Sequence, residues 1–121
     1  MKKLNKLIGN IGENLALNFL VNNKYIILEQ NYRFHKNEVD IIAKKSNIII
    51  FIEIKSRANN RYGYGEEAVN YIKQKQIIKV ANYYLQKNNF NDYFFRFDVL
   101  SIKFNETMVP AFNHIKDAFR A

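Results

Sequence analysis

Charged side chains stand in two predicted strands at positions where apolar residues would be the norm. Glu53 and Lys55 close an otherwise apolar strand, and they share one face because strand side chains alternate. In the preceding strand Glu38 and Asp40 repeat this spacing. Burying a carboxylate costs several kcal/mol unless a cation or a hydrogen-bond partner compensates. Three acids and a lysine on neighbouring strands therefore need partners.

Two kinds of partner fit these residues. The first is a cross-strand salt bridge, in which Asp40 or Glu38 pairs with Lys55 at the solvated end of a sheet. The second is a divalent cation such as Mg²⁺, which takes carboxylate oxygens, waters and substrate phosphates as ligands. A lysine beside such an ion would position an attacking water and offset negative charge developing on phosphorus. These residues alone leave both explanations open.

A fourth acid, Glu13, lies in a predicted helix on the same face as Leu17 and Leu20. It is therefore expected to point toward the sheet. Gly9 and Gly12 stand one turn before it and beside it, and each costs about 1 kcal/mol of helix stability relative to alanine. These glycines predict a close approach of the helix backbone to another group. The alternative is a solvent-facing glutamate with glycines that have no structural role.

Apolar periodicity predicts an α-β-β-β-α-β order of elements. The helices are expected over about residues 3–22 and 66–87, and the strands over 25–34, 38–44, 47–56 and 94–104. Short turns predict an antiparallel meander for the first three strands, and the second helix is long enough to cross over to a parallel fourth strand. The tail is expected to hold a short strand near 109–113 and a helical turn from His114. No linker or repeat interrupts the chain, so residues 1–121 are predicted to form one domain.

Several finer expectations concern faces and burial. Val39 and Ile41 should take the face opposite Glu38 and Asp40. The apolar run 48–52 should form a central strand that helices cover on both sides. The second helix should carry two acids, at 66 and 67, in its first turn. We interpret four aromatic residues as part of the core: Tyr83, Tyr84, Phe94 and Phe95. We interpret Arg96 and Asp98 as a structural pair or a helix-anchoring contact.

Composition excludes several classes of protein. The 121 residues are 48% apolar and 25% charged, a globular balance, and no apolar run is long enough to span a membrane. The absence of cysteine excludes disulfides and cysteine-based zinc sites, and the two histidines lie too far apart in sequence to predict one. A cytoplasmic location is expected.

A net charge of +8 favours a polyanionic partner, because lysine and arginine contacts to phosphates release counterions. A composition rich in Lys, Asn and Ile is an alternative source of this charge, since the lysines are scattered. Tyr62 and Tyr64 are candidates to stack on bases, and Arg33 has structural pairing with Glu38 as an alternative role. The candidates for phosphate contacts are Arg33, Arg57, Arg61 and Lys73.

The spacing Asp40, twelve residues, Glu53, one residue, Lys55 resembles the PD-(D/E)xK nuclease signature. Val39 stands where that signature has proline, a common departure in the superfamily. The short motif also arises by chance, so the rest of the chain carries more weight.

Motifs along almost the whole chain, from about residue 9 to 119, resemble the bacterial YraN-type family of predicted endonucleases. Asn37 departs from that family, which usually has glycine there. The matching segments are Gly9-x-x-Gly12-Glu13, Asn31-x-Arg33, Glu38-x-Asp40, Phe51-Ile-Glu53-Ile-Lys55-Ser-Arg57, Lys73, Arg96-Phe-Asp98-Val and His114-Ile-x-x-Ala118-Phe119.

The resemblance extends to archaeal Holliday-junction resolvases and implies an α/β fold: a restriction-endonuclease-like α-β-β-β-α-β core, with a mixed central sheet flanked by helices. It implies a metal-dependent endonuclease acting on DNA, with branched, flapped or single-stranded DNA as candidate substrates. A homodimer follows only by analogy with resolvases. The alternative is a nuclease-fold module that binds nucleic acid or a partner without significant catalysis.

Carried onto this sequence, the resemblance implies four catalytic residues. Mg²⁺ or Mn²⁺ would be bound by the three acids among them, helped by the backbone carbonyl of Ile54, with Glu38 as an auxiliary acid. The metal and the lysine would activate water for attack on the phosphodiester. The implied catalytic residues are Glu13, Asp40, Glu53 and Lys55.

Overall fold

Two helices and five strands make up the part of the chain that this computed structural model describes, residues 2–57 and 69–121. Neither helix combines the length and the apolar character needed to cross a membrane. The elements are α1 (Lys2–Asn22), β1 (Ile26–Phe34), β2 (Asn37–Lys45), β3 (Ile48–Arg57), α2 (Tyr71–Lys87), β4 (Phe94–Phe104) and β5 (Pro110–Phe119).

The strands form one mixed sheet in the order β1-β2-β3-β4-β5. β1, β2 and β3 pair as an antiparallel meander, and short turns join them because adjacent antiparallel strands need no crossover. β4 pairs with β3 in parallel after the α2 crossover, and β5 returns antiparallel at the edge. The predicted restriction-endonuclease-like α/β core is confirmed.

The helices cover opposite faces of the sheet. Leu20 of α1 belongs to the core on one face, together with Ile50 and Ile52 of β3. Val80 of α2 belongs to the core on the other face, together with Phe51. Successive residues of β3 thus alternate between two buried layers, as predicted for a central strand. Each fully buried side chain of this kind stabilises the fold by about 2 kcal/mol.

The predicted start of the second helix near residue 66 is wrong. α2 begins at Tyr71 because Asn70 is its N-cap, with an extended backbone and a side-chain oxygen that accepts a 2.8 Å hydrogen bond from the Lys73 amide. The acids at 66 and 67 lie outside the described residues. The prediction that they belong to the first turn of this helix is wrong, because that turn contains no acidic residue.

The predicted helical turn from His114 is also wrong, because β5 continues to Phe119. Leu100 pairs with His114 and Val99 with Ile115, so the ladder runs through the position where a turn was expected. An irregularity in the register between Phe97 and Val99 accommodates the rest of the strand.

The aromatic pairs were only half correctly interpreted as core. Tyr84 is buried, and Tyr83 is half-buried and stacks on Phe34 with ring centroids 4.1 Å apart. Phe94 and Phe95, however, are 68% and 44% exposed. Both residues stand at the start of β4, before the stretch that is buried from Phe97 onward.

Candidate active site

The two central antiparallel strands separate at one end of the sheet. The pairing of β2 with β3 ends at Ile41 and Ile52, and the next residues on the two strands are Asp40 and Glu53. Asp40 Oδ2 accepts a 2.8 Å hydrogen bond from the backbone N–H of Ile54. The carboxylate therefore takes the place of a ladder carbonyl, which holds it at the base of the fork between the strands.

The regular alternation of β2 is interrupted at Asp40. Val39 packs into the core on the α2 face, whereas Ile41 packs into the core on the α1 face. On β1 the neighbouring Asn31 has a left-handed backbone, with φ of 50°. The prediction that Val39 and Ile41 share one face is therefore wrong. Glu38 and Asp40 both lie toward α1, because after burial their charges raise the pKa of Glu13. This interruption directs the Asp40 side chain toward the space between β2 and β3, where its carboxylate meets the Ile54 N–H.

Glu53 is held in a buried position against Asp40. Its side chain is 14% exposed, and its Oε2 is buried with no hydrogen-bond partner among the described residues. Burial, the charge of Asp40 and a hydrogen bond with that carboxyl raise the pKa of Glu53 to about 8, while Lys73 and Lys55 act in the opposite direction. At neutral pH the two carboxyl groups therefore hold one proton between them.

Helix α1 brings a third acid to the same cleft. Glu13 is half-buried, and burial and then the charges of Asp40 and Glu38 raise its pKa. This position agrees with the expectation that it faces the sheet. The cleft between α1 and the fork has a volume of about 430 Å³ and is lined by Lys6, Gly9, Asn10, Glu13, Asp40, Glu53, Ile54 and Ser56.

The two glycines of α1 have different surroundings. A Cβ on Gly12 would collide with Ser56 Oγ and lie 3.0 Å from Ser56 Cβ, so the α1 backbone lies directly against the Ser56 side chain of β3. The prediction of a close backbone approach is confirmed at this position. It is wrong at Gly9, where a Cβ would meet no heavy atom of another described element within 4 Å.

Alanine substitutions at these glycines are expected to change stability in opposite directions. Gly12→Ala should lower the free energy of unfolding by about 1–3 kcal/mol, because the methyl group forces α1 away from Ser56. Gly9→Ala should raise it by up to about 1 kcal/mol, because alanine favours the helix and has space. Urea denaturation measures both, and two shifts of the same sign would contradict the packing described above.

Two lysines act on Glu53. Lys73 Nζ lies 4.0 Å from Glu53 Oε2, in the first turn of α2 where Asn70 caps the helix. Lys55 lies two residues after Glu53 on the same strand, and its charge also lowers the pKa of that carboxyl. Lys73 was considered from sequence only as a phosphate contact. Its place beside the acids depends on the packing of α2 on the sheet, which the sequence pattern did not show.

The remaining candidates lie around the fork or outside the described residues. Arg33 Nη2 pairs with Glu38 Oε2 at 3.2 Å, the structural alternative considered for this arginine, and its side chain remains 69% exposed. Arg57 is half-buried at the end of β3. Arg61 lies outside the described residues, as do both tyrosines proposed to stack on bases.

The donor groups at the fork fit a hard cation held by two carboxylates. Asp40 and Glu53 lie against each other, and Mg²⁺ is commonly bound by one or two carboxylates with waters and phosphates as its other ligands. Within residues 2–57 and 69–121 no three acidic, histidine or cysteine side chains converge as a ready-made metal site. Glu13 faces the cleft from the opposite wall, so in this conformation direct ligation falls to the pair.

The shared proton predicts a pH-dependent stability. Because the pKa of Glu53 is raised to about 8 in the folded protein, its contribution is fully present below about pH 4.5 and is lost as pH rises through 8. The metal-free protein should therefore lose roughly 2–4 kcal/mol of stability over that interval from this group.

Glu53→Gln should remove this pH dependence, which thermal or urea unfolding at pH 5.5 and 8.5 measures. Asp92→Asn is the control, because Asp92 is exposed. An unchanged slope in Glu53→Gln would contradict the buried, proton-sharing pair. Added Mn²⁺ should restore more stability to the unsubstituted protein at pH 8.5 than at pH 5.5, because the cation replaces the proton.

Fold and fork together define a restriction-endonuclease-like α/β protein with a paired-carboxylate cleft. The profile of the family described as "Uncharacterised protein family UPF0102" matches residues 12–102. Relatives called UPF0102 protein from Clostridium beijerinckii and Clostridium tetani are each 47% identical over 121 residues, covering 99% of this chain and 98% and 99% of their own. Another, from Clostridioides difficile, is 47% identical over 115 residues and covers 95% of this chain and 98% of its own.

The chain belongs to the UPF0102 family, the YraN-type family that its motifs resemble. The family description and the names of these relatives state no reaction. Any activity therefore has to be argued from the cleft.

Proposed function

We propose that this protein is a metal-dependent endonuclease that hydrolyses phosphodiester bonds in DNA. The observation that carries the proposal is the carboxyl pair of Asp40 and Glu53 at the fork, with a buried Glu53 oxygen that has no hydrogen-bond partner among the described residues. A pair of this kind, open to a cleft and beside two lysines, suits a cation and a phosphate better than a structural salt bridge.

The residues of the cleft have different proposed roles. Mg²⁺ or Mn²⁺ bound by Asp40 and Glu53, with the Ile54 carbonyl as a further ligand, would lower the pKa of a water and neutralise phosphate charge. Glu53 must first lose its proton, and the charges of Lys73 and Lys55 favour that loss. The Ile54 N–H holds the Asp40 carboxylate in one orientation. Lys55 would position the attacking water and stabilise charge on phosphorus.

Further residues take supporting roles in this proposal. Glu13 would position waters from the α1 wall, and Glu38 would be an auxiliary acid. The proposed phosphate contacts, which anchor the strand without reading its sequence, are Arg33, Arg57, Arg61 and Lys73.

The test is a panel of labelled single-stranded, duplex, flap and four-way-junction DNA, incubated with Mg²⁺, Mn²⁺ or EDTA. Cleavage should depend on the metal and should fall at least about 10²-fold in Lys55→Met. Lys116→Met is the matched control, because Lys116 is exposed on the edge strand and makes the same change in net charge. Cleavage in EDTA, or full activity of Lys55→Met, would contradict the mechanism.

A second candidate is a nuclease-fold module that binds nucleic acid or a partner without significant turnover. The net charge of +8 suits this candidate as well, because it favours a polyanion whether or not a cation is bound. The same panel separates the two functions. Binding that depends on salt but not on metal, without cleavage of any substrate, would favour the module. Under either function, a homodimer is proposed only by analogy with resolvases.

A further inference from the structure

One side of helix α1 carries a polar stripe along the cleft. Lys6, Gly9, Asn10 and Glu13 recur at helical spacing, and all four line the cleft. Farther along α1, Leu20 stands seven residues after Glu13 on the same face and packs into the core of the sheet. The stripe is therefore the helix wall of the space that leads to the carboxyl pair.

Gly9 is the unexplained residue of this stripe. Among the described residues a Cβ there would meet nothing within 4 Å, so no packing in that part of the chain requires glycine, although glycine costs the helix about 1 kcal/mol. The other glycine of α1, Gly12, is accounted for by Ser56. Because Gly9 has no side chain, the helix backbone borders the cleft directly at this turn, and the space beside it can hold a ligand.

The two ends of the stripe carry opposite charges. Lys6 stands at one end, whereas Glu13 stands at the other, beside Asp40 and Glu53. At a rise of 1.5 Å per residue the two ends are about 10 Å apart. A chain of phosphates fits this gradient, with one phosphate near the acids and their cation and another near the lysine.

The size of the cleft selects the form of nucleic acid. About 430 Å³ lies within the range of small-molecule pockets, roughly 300–1,000 Å³. A cleft of about this volume holds roughly one nucleotide, so a strand that passes through it does so unpaired.

We propose that the Gly9 turn is a subsite for a single strand of nucleic acid, whose backbone passes over α1 on its way to the carboxyl pair. Lys6 contacts a phosphate next to the scissile one, and Asn10 hydrogen-bonds the same stretch of sugar and phosphate. The proposal rests on the proposed nuclease function, and it makes an unpaired segment the substrate.

The experiment measures binding of a fluorescent single-stranded oligonucleotide in Ca²⁺ and in EDTA, together with its cleavage in Mn²⁺. Gly9→Leu should weaken binding and lower kcat/KM at least about 10-fold, because its side chain occupies the path of the strand. Asn18→Leu places the same side chain at an exposed position of α1 outside the cleft and should change neither. Gly9→Ala should weaken binding less, while it stabilises the fold.

Lys6→Ala supplies an independent measurement. The slope of log K against log salt should become shallower by about 0.7, as expected for one lost contact to a single strand. Lys116→Ala removes the same charge from the edge strand and should leave the slope unchanged.

The outcomes separate this subsite from the nuclease. If the protein cleaves single strands and Gly9→Leu behaves like Asn18→Leu, the subsite is overturned and the nuclease stands. Cleavage of duplex DNA alone also overturns the subsite. If no nucleic acid is bound or cleaved with any metal, the proposed function fails and the subsite fails with it.

Discussion

Asp40→Asn is expected to abolish metal-dependent cleavage, with a loss of at least about 10³-fold, or about 4 kcal/mol in the barrier. The substitution removes a negative charge from the pair that is proposed to bind the cation. It keeps the local fold, because an asparagine oxygen can still accept the hydrogen bond from the Ile54 N–H that Asp40 accepts at 2.8 Å. Asp40→Ala would also leave that backbone group without its acceptor, so it mixes a structural defect with the catalytic one.

Three measurements separate chemistry from folding in this variant. Cleavage should vanish, Mn²⁺ binding by calorimetry should weaken, and the urea midpoint at pH 5.5 should stay near that of the unsubstituted protein. The pKa of Glu53 should fall toward its ordinary value, because the charge of Asp40 contributes to raising it. Asp92→Asn is the control for a lost surface charge. Undiminished cleavage in Asp40→Asn would refute the paired-carboxylate site.

The sequence predicted the elements that local pattern determines. β4 occupies the predicted residues 94–104, and β3 differs from its prediction by one residue at each end. The acids and the lysine of the signature were also found from spacing, because alternation in a strand brings Glu53 and Lys55 to one face. These features depend on neighbours in the chain, so a single sequence contains them.

Features that depend on packing were missed. The change of face at Asp40 follows from a fork between strands and from the left-handed backbone of Asn31, and the apolar pattern of β2 gives no sign of either. Lys73 reaches Glu53 only because α2 lies where it does on the sheet. Gly9 and Gly12 are indistinguishable in sequence, and only the position of Ser56 separates them.

The second large effect is expected at a buried ion pair on β4, whose residues are not among those that line the carboxyl cleft. Asp98 is completely buried and accepts hydrogen bonds from Arg96 Nε and Nη2 at 2.8 and 2.9 Å, and from the Asp117 N–H at 3.0 Å. His114 Nε2 lies 2.7 Å from Asp98 Oδ2. Arg96 Nη2 also reaches the Tyr25 hydroxyl at 3.3 Å, just after α1 ends. The interpretation of Arg96 and Asp98 as a structural pair is thus confirmed, and the contact beyond the pair reaches the segment between α1 and β1.

Asp98→Ala is expected to lower the free energy of unfolding by about 3–5 kcal/mol, because it leaves Arg96 partly buried without its counter-charge. Burial alone would raise the pKa of Asp98, but hydrogen bonds from His114, Arg96 and the Asp117 amide hold it below its usual value. A depressed pKa gives stability that is present above the unfolded value and is lost as pH falls through the folded one. Asp98→Ala should therefore be less sensitive to acid than the unsubstituted protein.

Two comparisons test whether the loss arises from a buried charge. Arg120→Ala breaks the exposed pair between Arg120 and Asp117, 2.7 Å long, and should leave the urea midpoint unchanged because solvent screens it. The double variant of Arg96→Ala and Asp98→Ala should lose less than the sum of the two single variants, since it removes both charges together. Equal losses from the buried and the exposed pair would contradict this account. The network ties β5 and the segment after α1 to β4, and Asp98 is not among the residues that line the cleft. Cleavage by the folded fraction of Asp98→Ala should therefore stay close to normal, in contrast to Asp40→Asn.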